Sequence, residues 1–128
     1  MEIRSGHCLC RAVRFETRGA PKWVAFCHCE SCRRALSAPV AAFASFRDEN
    51  VAFSGEAPRT YRSSPAVERA FCGRCGSPIW YRNDDLPEEV HLLLASFEDD
   101  RNWRPEKHDF YSEHLPWLVC GDGLPAKD

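Results

Sequence analysis

Long apolar runs are missing from this chain of 128 residues. The longest, Val40–Phe46, spans seven residues. That is far short of the roughly 18 needed to cross a bilayer as a helix, and it reads as a strand. The opening Met1-Glu2-Ile3-Arg4-Ser5-Gly6 has no apolar stretch of the secretory kind, so the expected location is the cytoplasm. No block of Lys or Arg occurs, and the formal net charge is −2, which gives no reason to expect nucleic acid as a partner. No internal repeat, low-complexity tract or dividing linker interrupts the chain, so one domain, residues 1–128, is expected. Nor is there a strand–helix–strand alternation, which excludes a doubly wound parallel sheet.

Cysteine, by contrast, is abundant, with eight residues in 128. In a reducing compartment these are metal ligands before they are disulfides. Seven fall into tight groups: Cys8/Cys10, Cys27/Cys29/Cys32 and Cys72/Cys75; Cys120 stands apart. Neighbours so close seldom reach disulfide geometry with one another, yet they readily share one tetrahedral ion.

The remaining pattern is of short β segments. Arg11–Thr17 alternates Val13 and Phe15 with Arg14 and Glu16, the period of a half-buried strand. Trp23–Phe26, Ala41–Phe46, Asn50–Phe53, Val67–Phe71, Ile79–Arg82 and Val90–Ala95 read likewise, separated by Gly, Pro and Ser clusters. One short helix is expected over Glu30–Ala38, ended by Pro39. From Pro105 onward there is little periodicity, and that tail is expected to pack irregularly. The class is mainly β, with small antiparallel sheets and one short helix.

Counting ligands divides the cysteines. Cys8, Cys10, Cys72 and Cys75 make two turn-borne pairs, the pattern of a closed structural zinc that also pins the start of the chain to its second half. Cys27, Cys29 and Cys32 offer three thiols, the pattern of a zinc with one open position. Three thiolates around Zn²⁺ leave about one negative charge, a poor activator of water but a good soft place for another thiolate. A fourth protein ligand would close that site, and Cys120, His28, His108 and His114 are the alternatives. His28 is the least suited, because Cys27 and Cys29 point to one side of an extended segment and residue 28 to the other. Rubredoxin-type iron or an iron–sulfur cluster at the four-cysteine set is a minor alternative.

The chain resembles the glutathione-dependent formaldehyde-activating enzyme family, which includes centromere protein V. The residues that carry the resemblance are Gly6-His7-Cys8-Leu9-Cys10 with Val13-Arg14-Phe15, Cys27-His28-Cys29-Glu30-Ser31-Cys32-Arg33-Arg34, and Arg69-Ala70-Phe71-Cys72-Gly73-Arg74-Cys75-Gly76-Ser77-Pro78. His108, Pro116-Trp117 and Asp122-Gly123-Leu124-Pro125 follow in the same order. The family's glycine after the first pair is Arg11 here. The resemblance implies a zinc-stabilised β-tent, with a structural zinc on Cys8, Cys10, Cys72 and Cys75 and a catalytic zinc on Cys27, Cys29 and Cys32. It implies a carbon–sulfur lyase-type activity in which glutathione, the co-substrate, adds to formaldehyde to give S-hydroxymethylglutathione.

Glutathione carries two carboxylates, so Arg33 and Arg34 beside Cys32 are named as substrate-binding residues, with Arg69 and Arg74 next in line. Trp117, Phe110 and Tyr111 are candidate pocket walls, and His108 and Glu113 candidate proton handlers. The expected partners are a small-molecule thiol and an aldehyde; a homodimer is allowed, and no membrane is expected. The contrasting reading is a non-catalytic zinc module with both sites closed, acting in protein or nucleic-acid interaction.

Overall fold

The computed structural model describes residues 2–99 and 103–128. Their strands, in order, are β1 (Ile3–His7), β2 (Val13–Arg18), β3 (Trp23–Cys27), β4 (Ala41–Arg47), β5 (Val51–Gly55), β6 (Arg59–Ser64), β7 (Val67–Phe71), β8 (Pro78–Asn83), β9 (Glu89–Leu93) and β10 (His108–Asp109). The one α-helix among the described residues, α1, runs over Glu30–Leu36. Two sheets result. One has three strands in the order β1-β2-β5, the other seven in the order β10-β3-β4-β9-β8-β7-β6. Every named pairing is antiparallel except that of β10 with β3. The mainly β expectation holds, and among the described residues no helix is long and apolar enough to cross a membrane.

Side-chain alternation explains how the sheets meet. Val13, Phe15 and Thr17 of β2 point inward and are buried, while Arg14, Glu16 and Arg18 face solvent. In the large sheet Val24, Ala44, Phe46, Ala70, Trp80, Val90 and Leu92 point toward them, and these residues form one core with Phe97. Phe15 meets Phe97 edge-on, with ring centroids 5.1 Å apart. Packing is closest where β1 passes over Phe15: a Cβ on Gly6 would lie 2.1 Å from the Phe15 ring, so only glycine fits there.

The other face of the large sheet carries the intervening residues: Trp23, Ala25 and Cys27 of β3, Phe43 of β4, Val67 and Arg69 of β7, Tyr81 of β8 and His91 of β9. Register sets neighbours along this face, pairing Ala25 with Phe43, Arg69 with Tyr81 and Tyr81 with His91. This second face holds the site.

Boundaries differ from expectation for local reasons. The helix stops at Leu36, two residues short of Ala38. Ser37 takes a left-handed conformation, φ 51°, and with Ala38 returns hydrogen bonds to the carbonyls of Arg33 and Arg34. Strand β9 ends at Leu93, ahead of Ala95, because residues 94–96 turn into a 3-10 helix. The expectation of an irregular tail is corrected in part, since His108–Asp109 adds a parallel strand beside β3.

Candidate metal centres and their cavity

Two turns and two strand ends bring the first sulfur group together. Cys8 and Cys10 follow β1; Cys72 and Cys75 follow β7. Their ligand atoms all lie within 4.8 Å of one another, with Cys8 Sγ–Cys10 Sγ and Cys10 Sγ–Cys72 Sγ both 3.7 Å. Four sulfurs at about 2.3 Å from one tetrahedral zinc would be separated by about 3.8 Å, so the donor set fits that ion. Backbone N–H groups of Val13 and Arg74 donate to Cys8 Sγ and Cys72 Sγ, each at 3.4 Å, which offsets thiolate charge. Ser77 ties the two turns by accepting the Leu9 N–H at 3.0 Å while its Oγ lies 3.1 Å from Cys75 Sγ. Hydrogen bonding from Ser77, its side chain first, lowers the Cys75 pKa to about 5.

The second group is built where β3 runs into α1. Cys27 ends the strand, Cys29 is the helix N-cap and Cys32 lies in the first turn, which turns all three sulfurs to one side. Cys27 donates to Cys29 Sγ at 3.3 Å, and the Cys32 backbone N–H donates to the same sulfur at 3.4 Å. Without an ion, hydrogen bonding favours the thiolate on Cys29. Donation from Cys27 and then Cys32 brings its pKa down to about 2, whereas Cys27 is pushed well up. Among the described residues no fourth Cys, His, Asp or Glu ligand atom joins this set. The donor number and softness fit zinc with a position left open.

These sulfurs open into a cavity of about 360 Å³, within the range of small-molecule sites. Trp23, Phe43, Tyr81, Phe110, Val67 and Leu86 supply apolar wall, and Ser63, Ser64 and Asn83 supply neutral polar groups. The charged side chains in the wall are Arg69 and Asp109. Arg69 is only 6% exposed, with Nε donating to Ser63 Oγ at 3.0 Å and Nη2 to Cys32 Sγ at 3.6 Å. Its guanidinium also lies 5.1 Å from the Tyr81 ring centroid. His91 is buried beside Tyr81, and burial lowers its pKa below the ordinary imidazole value, so it faces the cavity uncharged at neutral pH. Glu89 accepts from Ser45 and sits 3.0 Å from His91 Nε2, with Lys22 on its other oxygen. Burial would raise the Glu89 pKa, but Lys22, His91 and Ser45 outweigh it and bring the group to about 2.

Behind the cysteine loop, His28 is fully buried, and its Nε2 lies 2.8 Å from His108 Nδ1. His108 Nε2 in turn lies 2.9 Å from Asp122. The His28 N–H also donates to the Asp109 carbonyl at 3.0 Å, so the tail grips the loop from the side away from the sulfurs.

The model of the glutathione-dependent formaldehyde-activating enzymes matches residues 3–113. This chain belongs to that family. A putative glutathione-dependent formaldehyde-activating enzyme of Halomonas elongata is 31% identical over 127 residues, which cover 91% of this chain and 80% of that one. An uncharacterised lyase of Schizosaccharomyces pombe is 34% identical over 91 residues, 70% of this chain; the match spans 66% of that relative's length. A crystal structure of a Rhodobacter sphaeroides protein has the same fold, with a TM-score of 0.63 at 21% identity, over 97% of this chain and 99% of that one.

Against the family's motifs, the arginines sort differently from expectation. Arg33, named as substrate-binding, donates to the backbone carbonyls of His28 and Glu113 at 2.9 and 3.1 Å. Arg34 pairs with Glu30 one turn back, at 2.9 Å. Neither lines the cavity; Arg69 does. In sequence Arg69 stands three residues before Cys72, yet its side chain leaves the face of β7 opposite to that of the core residue Ala70 and reaches Cys32. The other named residues also find places. Phe110 lines the cavity, Trp117 is exposed, and Tyr111 stacks on His114 at 3.9 Å. Glu113 accepts the Glu30 N–H at the start of α1, at 2.9 Å. Cys120 is exposed and groups with His108 and Asp122, apart from the three-cysteine set.

Arg11, standing where the family has glycine, adopts φ 69° in the turn closed by its N–H on the Cys8 carbonyl at 3.1 Å. A left-handed conformation costs a non-glycine residue about 1–2 kcal/mol, partly offset by the smaller unfolded-state entropy of arginine. Arg11→Gly should therefore raise stability by about 0.5–1 kcal/mol in denaturant titrations, and an unchanged midpoint would show the turn to be unstrained.

Proposed function

We propose that the protein is a zinc-dependent carbon–sulfur lyase-type enzyme. It binds a thiol at the open three-cysteine centre and adds it to an aldehyde; glutathione and formaldehyde are the pair in the family's name. One observation carries the reading: three sulfurs converge in the wall of a cavity with no fourth protein ligand beside them among the described residues. The relative named a lyase and the relative named a formaldehyde-activating enzyme support it. Cys8, Cys10, Cys72 and Cys75 would hold a structural zinc, and Cys27, Cys29 and Cys32 a catalytic one. Zinc held there would supply an electrophile that lets a thiol ionise at neutral pH.

The chain's own residues do the rest. Arg69 stands beside the sulfurs and balances their charge. The apolar wall excludes water and holds the two reactants together, converting a bimolecular addition into one between neighbours. The carbon–sulfur bond forms as the carbonyl π pair moves to oxygen, and that oxygen takes up the proton given off by the thiol.

Native mass spectrometry with and without excess thiol tests this. Two zinc ions per chain and a thiol adduct are expected, the adduct vanishing in Cys29→Ser while the four-cysteine centre stays loaded. Two zinc ions with no adduct from any thiol would favour the closed, non-catalytic module.

A further inference from the structure

The cavity is poorly matched to a thiol that carries several charges. Among the described residues its wall has one cation, Arg69, whose Nε and Nη2 already donate to Ser63 and Cys32. The other charged wall residue is an anion, Asp109, which occupies the nearby Lys107 ammonium at 3.3 Å. Arginines adjoining the wall in sequence are engaged elsewhere. Arg62 holds Asp84 at 2.8 Å, Arg34 holds Glu30, and Arg33 donates to backbone carbonyls. A carboxylate brought inside would lose its water and compete with the Cys32 sulfur for the one guanidinium, and a second carboxylate would find no cation of its own among the described wall residues. Around the sulfurs, by contrast, Trp23, Phe43, Tyr81 and Phe110 form an aromatic enclosure.

We propose that the thiol this site takes is small, uncharged and apolar, an aryl- or alkylmethanethiol, in preference to glutathione. The inference rests on the thiol-accepting reading above and narrows its substrate class. The sulfur end meets the cysteine cluster and the hydrocarbon end fills the aromatic enclosure, where burial of a phenyl group contributes through removal of its apolar area from water. The reaction is unchanged in its balance: the thiol's sulfur bonds to the aldehyde carbon, and its proton passes to the carbonyl oxygen.

The test is a set of dissociation constants for the zinc-loaded protein, by calorimetry with zinc counted alongside. The probes are phenylmethanethiol, glutathione and glutathione diethyl ester. Phenylmethanethiol should bind at least about 10-fold more tightly than glutathione, and the ester, which lacks the free carboxylates, should lie between. Leu86→Arg places a cation at an exposed wall position and should narrow the gap by favouring glutathione. Glutathione binding as tightly as phenylmethanethiol, or the ester no better than glutathione, would overturn the proposal while leaving the thiol-accepting centre intact. No binding of any of the three would remove the thiol-accepting reading itself, and the proposal with it.

Discussion

Arg69→Met should weaken zinc at the three-cysteine centre roughly 100-fold, about 3 kcal/mol, and leave the four-cysteine centre loaded. The guanidinium is 6% exposed, lies 3.6 Å from Cys32 Sγ and has no carboxylate partner among the described residues. A cation so buried needs a counter-charge, and the sulfurs are what it has. Three thiolates and one divalent ion carry a net charge of −1, which Arg69 brings to zero. At about 4 Å and an effective dielectric near 20, opposite unit charges attract by about 4 kcal/mol, of which part is returned when the buried cation is no longer desolvated. Methionine keeps an unbranched apolar stem in the same space, so lost burial contributes little to the result. Competition against a chromophoric chelator, with zinc counted per chain, measures the effect. Unchanged affinity would mean that the cluster does not carry the charge assigned to it.

Cys72→Ser is expected to abolish cooperative folding at ambient temperature. Cys72 is 1% exposed within the main core, and its sulfur meets the Cys10 sulfur across 62 residues of chain. Structural zinc supplies about 10–16 kcal/mol of apparent binding energy in small domains, comparable to the whole stability of a domain this size. Loss of one ligand forfeits much of that and reopens a long loop. Circular dichroism during heating should show a broad, early loss of structure, in contrast to Cys29→Ser, which keeps its fold and an N-cap oxygen. A Cys72→Ser protein that melts like the parent would show that the four-cysteine centre is dispensable for folding.

What could be read from the residue order followed from burial. Strands with one buried face announced themselves: β2 alternates cleanly, β7 was expected at its observed limits, and β3, β4, β5, β8 and β9 within one or two residues at each end. Strands β1 and β6 gave no such signal. Ile3–His7 has a single apolar member, and all six residues of Arg59–Ser64 are exposed, so no periodicity marks them. Edge strands of this kind are made by their partners' backbones. The cysteine groups were legible because their spacing is local. Arg69 was legible as an arginine but not as a neighbour of Cys32, since that contact depends on the 37-residue return of the sheet. His28–His108–Asp122 depends on the same kind of long-range closure, and nothing in the tail's composition announces it.

The pairing of β10 with β3 has a consequence for the chain as it is made. Cys27, Cys29 and Cys32 leave the ribosome some 80 residues before His108 reaches His28 and Asp109 pairs with Cys27. At roughly 5–20 residues per second, that interval is about 4–16 s. Throughout it the three thiols lack both the tail behind them and the cavity wall that Asp109 and Phe110 contribute. They are then more open to oxidants than in the finished fold, where Cys27 and Cys32 are buried. Oxidative stress should accordingly strike newly synthesised copies of this protein far harder than mature ones.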